Sequence, residues 1–151
     1  MQGLTPSFTR VNTPELRRAF WGACWSCAAC VLVLSRWLRP DPSGMGTHRQ
    51  LGLPACALLT LTGLPCPACG LTTAFAHMAR WHLSAALRAN PLGVPLFALT
   101  VAVFMVSIPA CACAWSITDT LKALRVAPLG VIICALGMLV WIVRVATLIV
   151  A

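Results

Sequence analysis

The chain has 151 residues, 60% hydrophobic and only 9% charged, where an ordinary soluble domain carries about 25% charged residues. With a mean hydropathy of +0.88, that deficit implies an integral membrane protein. The net charge of +8 suits anionic headgroups and topogenesis; the basic residues are dispersed and Tyr is absent, which argues against nucleic acid as a partner. Glu15, Asp41 and Asp119 are the only acidic residues, so hydrolysis by paired carboxylates is excluded too.

Residues 1–18 read as a polar N-terminal arm with Arg10, Arg17 and Arg18, and 19–151 as a single membrane domain. Residues 19–38 are apolar and long enough to span a bilayer. The following Ser35-Arg36-Trp37-Leu38-Arg39-Pro40 offers no small-x-small cleavage pattern, which makes the run a retained anchor with Trp37, Arg36 and Arg39 at the interface. Residues 39–50 are rich in turn formers. Residues 51–64 are apolar but too short to span, and Pro54 and Gly63 interrupt them, so a re-entrant or interfacial segment is expected.

Residues 67–89 predict one amphipathic helix. Cys66 would be its N-cap, with Pro67 in the first helical position. Leu71, Ala74, Phe75, Met78, Trp81, Ala85 and Ala89 form the apolar stripe, and Thr73, His77, Arg80, Ser84 and Arg88 the polar one. A second span is expected over 91–115, capped by Asn90 and kinked at Pro109. A charged loop follows over 116–127, and a third span over 128–150 carries Arg144, which either snorkels or pairs inside the bundle. The fold class is all-α: a small integral membrane helical protein with three spanning helices, a re-entrant or interfacial segment and an amphipathic helix. Orientation stays open, because five basic residues fall on each side of that topology.

Nine cysteines are an odd number, so at least one is unpaired or shared between chains. Cys24, Cys27, Cys30, Cys111, Cys113 and Cys134 lie in apolar runs, where Cys acts as a small hydrophobe. The spacing of Cys24, Cys27 and Cys30 makes them drift across a helix face rather than converge. The chemically specific stretch is Pro65-Cys66-Pro67-Ala68-Cys69-Gly70-Leu71-Thr72.

Cys56, Leu61-Thr62-Gly63, Cys66-Pro67-Ala68-Cys69-Gly70-Leu71-Thr72-Thr73-Ala74, Ala86-Leu87 and Asn90-Pro91-Leu92, with the late Trp141-Ile142-Val143-Arg144, stand in a recognisable order. In this the chain resembles a bacterial family of small membrane proteins of unknown function, domain of unknown function number 2752, over roughly residues 51–148. The resemblance implies a multi-pass protein of the bacterial inner membrane and brings no activity with it. One departure stands out: Thr73 occupies the place where the family usually has Arg, and Arg80, on the same helix face, is a stand-in for it.

Three chemistries fit the thiols. Cys-Pro-x-Cys-Gly is a zinc-knuckle geometry, with Cys66, Cys69 and Cys56 as metal ligands and zinc as the cofactor. A fourth ligand is missing from the motif. His77 lies eight residues beyond Cys69, about 12 Å along a straight helix; His48 stays available on its loop, and His82 falls in the apolar stripe. The same thiols suit a membrane thiol–disulfide oxidoreductase, where a helix N-terminus would favour the thiolate. The third reading makes the motif a tight turn in a structural or accessory membrane subunit, with no catalytic residues. Expected partners are the lipid bilayer and a membrane protein or a second copy of the chain, with no nucleic acid.

Overall fold

Thr13 opens the first helix of the computed structural model, which describes residues 13–150, with side chains through 147. Its hydroxyl accepts the Leu16 N–H at 3.3 Å, and Pro14 and Glu15 fill the first turn. Helix α1 (Pro14–Trp37) therefore begins five residues before the apolar run starts at Ala19. Of the arm expected over 1–18, residues 1–12 lie outside the described residues, and 14–18 are helical.

A 3-10 helix (Thr47–Leu51) and six α-helices follow among the described residues: α2 (Ala57–Thr62), α3 (Leu71–Met78), α4 (Leu83–Ala89), α5 (Gly93–Ala112), α6 (Ile117–Ala123) and α7 (Val126–Val150). No strand occurs among them. Helices α1, α5 and α7 are long and apolar enough to cross a membrane, and the fold is the expected all-helical one. The stretch expected as a charged loop over 116–127 instead holds α6, whose N-cap Ser116 accepts from Asp119 N–H.

Helices α1 and α5 form the main interface. Trp25 stacks on Phe104 with ring centroids 5.7 Å apart, and the buried small residues Ala28, Ser107 and Ala110 let the backbones approach. At the end of this pair where α1 begins, Arg17 reaches the Ala114 carbonyl and the Trp21 indole donates to the Trp115 carbonyl at 3.0 Å. At the other end, α1 finishes, α5 begins and the late part of α7 arrives, with the segment 40–90 gathered beside them.

The single helix expected over 67–89 is broken twice. The cysteine stretch forms turns, with Cys69 N–H on the Cys66 carbonyl and Leu71 N–H on the Ala68 carbonyl, both at 3.0 Å. Helix α3 thus starts at Leu71 behind Gly70, so Cys66 is not its cap. The helix stops at Met78 because the chain turns left-handed at Trp81 (φ 64°). Trp81 N–H bonds the Met78 carbonyl and His82 N–H the His77 carbonyl, the two-bond ending usually built with glycine. This throws the Trp81 ring into the open, 92% exposed, instead of into the apolar stripe.

Ala74, Met78 and Ala89 of the stripe pack inward, joined by Ala86 from outside it, while Ala85 lines a cleft. Ala74, Ala86 and Ala89 form a small core with Met78 and Val94, and Phe75 meets Phe97 edge-on at 5.4 Å. Gly93 sits so close to Ala74 that a Cβ there would collide with the alanine methyl. The expected polar stripe does not face water as a unit. Thr73 is fully buried, its hydroxyl 2.8 Å from that of Thr47. Arg80 turns to the end of α1, donating to the carbonyls of Ser35 (3.2 Å) and Arg36 (2.7 Å) and to Ala76 of its own helix. Arg80 therefore caps the end of α1.

Candidate metal centre

The backbone of the cysteine turn is held by side chains from two distant segments. Asn90 is 1% exposed. Its amide nitrogen donates to the carbonyls of Pro67 and Cys69, both at 3.1 Å, and its amide oxygen accepts Leu92 N–H at 3.0 Å. The asparagine expected to cap the second span thus caps the turn into α5 and also pins the thiol turn. From α7, the Trp141 indole donates to the Pro65 carbonyl at 2.7 Å and Arg144 to the Cys69 carbonyl at 3.3 Å. Arg144 therefore pairs inside the protein, as a guanidinium in an apolar helix must do or else reach water.

Gly70 closes the turn at φ 85°, where a Cβ would run into the carbonyls of Ala89 and Gly44. Glycine is required there both by conformation and by space. With the carbonyls of residues 65, 67 and 69 tied outward, the two thiols are left on the inner side of the turn.

There they meet a third thiol. Cys56 stands at the N-terminus of α2, which the left-handed Gly63 ends, so the chain folds back and sets Cys56 beside Cys66 and Cys69. The three sulfurs lie within 4.8 Å of one another, and those of Cys66 and Cys69 are 3.3 Å apart. All nine cysteines are free thiols. The other six lie along or just after the spans, with Cys27, Cys30, Cys113 and Cys134 exposed and Cys24 and Cys111 half-buried.

The trio is electrostatically uneven. Cys56 is brought down to about 7, first by the backbone N–H of Leu59 at the start of α2, then by the Cys69 thiol, which shares its proton. Cys69 is pushed up to about 12, first by burial and then by its contacts with Cys66 and Cys56. The helix-terminus effect expected at Cys66 thus belongs to Cys56. Among the described residues no carboxylate lines the site: the three sulfurs line a cavity of about 600 Å³ whose wall includes Met45, His48, Arg49, Leu53 and Leu59.

The histidines divide. His48 is on the cavity wall, with Nε2 3.1 Å from the Pro54 carbonyl. His77 faces a separate cleft of about 420 Å³ shared with Asp41 and Arg88. Its Nδ1 is buried without a hydrogen-bond partner among the described residues, and burial, with His82, Arg80 and Arg88 nearby, lowers its affinity for protons. His77 and His82 stay apart from the thiols, as the spacing along the helix required.

Sequence reasoning missed the carbonyl clamps by Asn90 and Trp141. Asparagine before Pro91 had a ready explanation as a cap, and the tryptophan late in α7 stood only as part of the family resemblance. Their second role depends on tertiary contacts that no local pattern records.

Residues 56–104 match the family model described as "Protein of unknown function (DUF2752)". The matched segment starts on Cys56, contains Cys66, Cys69 and Asn90 and ends inside α5, so the resemblance read from the motif stands for that segment. No curated protein matches the chain, and no solved structure matches it.

Proposed function

We propose that Cys56, Cys66 and Cys69 form a thiolate centre for zinc, and that the protein is a multi-pass accessory subunit of a bacterial inner membrane stabilised by that centre. The observation that carries this reading is the meeting of three sulfurs within 4.8 Å, drawn from two separate turns. Around a zinc ion with bonds of about 2.3 Å, tetrahedral sulfurs lie roughly 3.8 Å apart. The 3.3 Å pair of Cys66 and Cys69 needs only a small opening to reach that separation. A donor set made of sulfur alone favours soft ions and disfavours calcium or magnesium.

Binding must displace protons, because the ligands are thiolates. Cys69, pushed up to about 12, gives up its proton only to the ion. Affinity therefore rises with pH. In place, the ion would tie α2 to the cysteine turn, which Asn90 ties to α5 and Trp141 and Arg144 tie to α7.

The test is elemental analysis of the detergent-purified protein and its variants. One zinc per chain is expected in the native protein and in Cys24→Ala, Cys111→Ala and Cys134→Ala. Cys66→Ser and Cys69→Ser should lose zinc affinity by more than about 100-fold, beyond the usual effect of an outer-shell partner. Equal zinc content in all five variants would remove the reading.

A second reading has one observation of its own, the low Cys56 value beside the close Cys66–Cys69 pair. In it the two thiols of Cys66 and Cys69 form a disulfide, releasing two protons and passing two electrons to a quinone or to a partner's disulfide. Cys56 would then be the attacking thiolate in exchange. Isolation of a zinc-free protein with a reducible Cys66–Cys69 bond would favour it.

A further inference from the structure

We propose that His48 is the fourth ligand of the zinc centre, binding through Nδ1 as the segment 48–56 closes over the cavity. The proposal rests on the zinc reading of the three cysteines and goes one step further, from an open three-sulfur site to a closed one. A closed tetrahedral site needs four protein ligands, and the described nitrogen and oxygen candidates can be taken in turn. Glu15 starts α1 and Asp119 lies in α6, both at the opposite end of the bundle. Asp41 lines the separate cleft of about 420 Å³ and not the thiol cavity, with Ser43 donating to its Oδ1 through its N–H at 2.9 Å and its hydroxyl at 2.6 Å. His77 lines the separate cleft, and His82 caps α4 on that side. His48 alone shares the wall of the cavity onto which Cys56, Cys66 and Cys69 open.

Its ring is already set for the task. A carbonyl only accepts, so the 3.1 Å contact with the Pro54 carbonyl places the proton on Nε2. The neutral imidazole then carries its lone pair on Nδ1. A histidine that ligates a metal commonly donates its other N–H to a backbone carbonyl, which fixes the tautomer and the ring plane. Here that carbonyl belongs to Pro54, two residues from the ligand Cys56, so histidine and cysteine are coupled before any ion arrives.

Closure is needed because His48 stands outside the group of sulfurs within 4.8 Å. The segment is hinged for it. Gly52 (φ 75°) ends the 3-10 helix in a left-handed conformation that glycine leaves freely. Thr47 is fixed to the core by its hydroxyl contact with Thr73, which provides a pivot immediately before the histidine. The cavity supplies the space to be closed.

The experiment is zinc-edge X-ray absorption on the full-length detergent-purified protein, with zinc affinity measured by competition with a chelating dye. Native protein should show three sulfur ligands, one nitrogen and the outer-shell scattering of an imidazole. His48→Ala should keep three sulfurs, lose the imidazole scattering and bind zinc more than about 100-fold more weakly, beyond the effect of an outer-shell partner. His48→Cys should show four sulfurs and recover the affinity, a rescue that a merely structural histidine would not give. Trypsin supplies an independent readout: zinc should slow cleavage after the exposed Arg49 in native protein and in His48→Cys, and not in His48→Ala. A zinc-bound native protein without imidazole scattering, or a His48→Ala variant with the native spectrum, overturns the proposal and leaves the three-cysteine site standing. A native protein that takes up no zinc overturns both.

Discussion

The segment 40–90 and the helical bundle beside it are held by different forces. In the bundle, α1 and α5 meet through stacked rings, small residues and few polar contacts. Lipid is as apolar as leucine, so such an interface depends on close fit and not on exclusion of water. In the segment, irregular backbone carries the structure. Its carbonyls at Pro65, Pro67 and Cys69 are satisfied by Trp141, Asn90 and Arg144, while Arg80 satisfies the end of α1. Backbone without a regular ladder at a membrane needs such donors. Trp141 and Arg144 of α7 are thus intelligible only with the segment they serve.

The largest separation between the two regions is expected in thiol chemistry. At pH 7 about half of Cys56, brought down to about 7, is thiolate. An ordinary cysteine is a few per cent thiolate there. In metal-free protein, iodoacetamide should modify Cys56 on the order of 10-fold faster than the span cysteines Cys24 or Cys134, read by mass spectrometry of digests. Its rate should fall as pH drops through 7, where the thiolate gains a proton. Cys69, pushed up to about 12, should be among the last modified. If Cys56 and Cys134 react alike across this range, the segment confers nothing on its thiols. Zinc should protect all three cluster cysteines and leave the others unchanged.

Next comes a pair of polar deletions, one in each region. Asn90→Ala removes three hydrogen bonds from a buried amide and leaves the Pro67 carbonyl and Leu92 N–H without those partners. At about 1–3 kcal/mol for each buried group left unpaired, a loss of roughly 3 kcal/mol is expected. Thr100→Ala removes a hydroxyl that bonds only the Leu96 carbonyl of its own helix, at 2.8 Å. That carbonyl keeps its place in the helix, so the loss should stay within about 0.5 kcal/mol. Denaturant unfolding in detergent, followed by tryptophan fluorescence, measures both. Equal losses would mean that the segment is not held by the asparagine clamp.

The two regions also differed in how far the sequence revealed them. Three spans followed from apolar runs alone, with ends displaced by a few residues because capping decides ends: Thr13 extends α1 forward past Ala19, and the turn at Asn90 delays α5 to Gly93. The cluster of Cys66 and Cys69 followed from their spacing, and Cys56 from the turn formers between them. The break at Trp81 could not be read, since a left-handed tryptophan contradicts local preference and arises from the way α4 folds back on α3. The face holding Thr73 and Arg80 was read only as polar, because helical periodicity separates polar from apolar without saying what covers the polar side. Here the ends of α1 and the 3-10 helix cover it.

The smallest predicted effect concerns that break. Left-handed backbone costs a residue with a Cβ roughly 1–2 kcal/mol, and glycine avoids the penalty. Trp81 at φ 64° bears it with little packing in return, being 92% exposed. Trp81→Gly keeps both hydrogen bonds of the helix ending, because they use backbone groups only. Glycine also adds freedom to the unfolded chain, which offsets part of the gain. In detergent, Trp81→Gly should therefore be more stable by about 0.5–1 kcal/mol, and Trp81→Ala, which keeps the strained Cβ, should change little. The same pair in liposomes sharpens the contrast between segment and bundle. Arg80, next in sequence, bonds the Arg36 carbonyl at the end of α1, and an exposed indole near a span's end anchors in the headgroup region, so there Trp81→Gly should lose its advantage. A gain of equal size in both media would mean that the ring never meets lipid and that its strain serves no membrane contact.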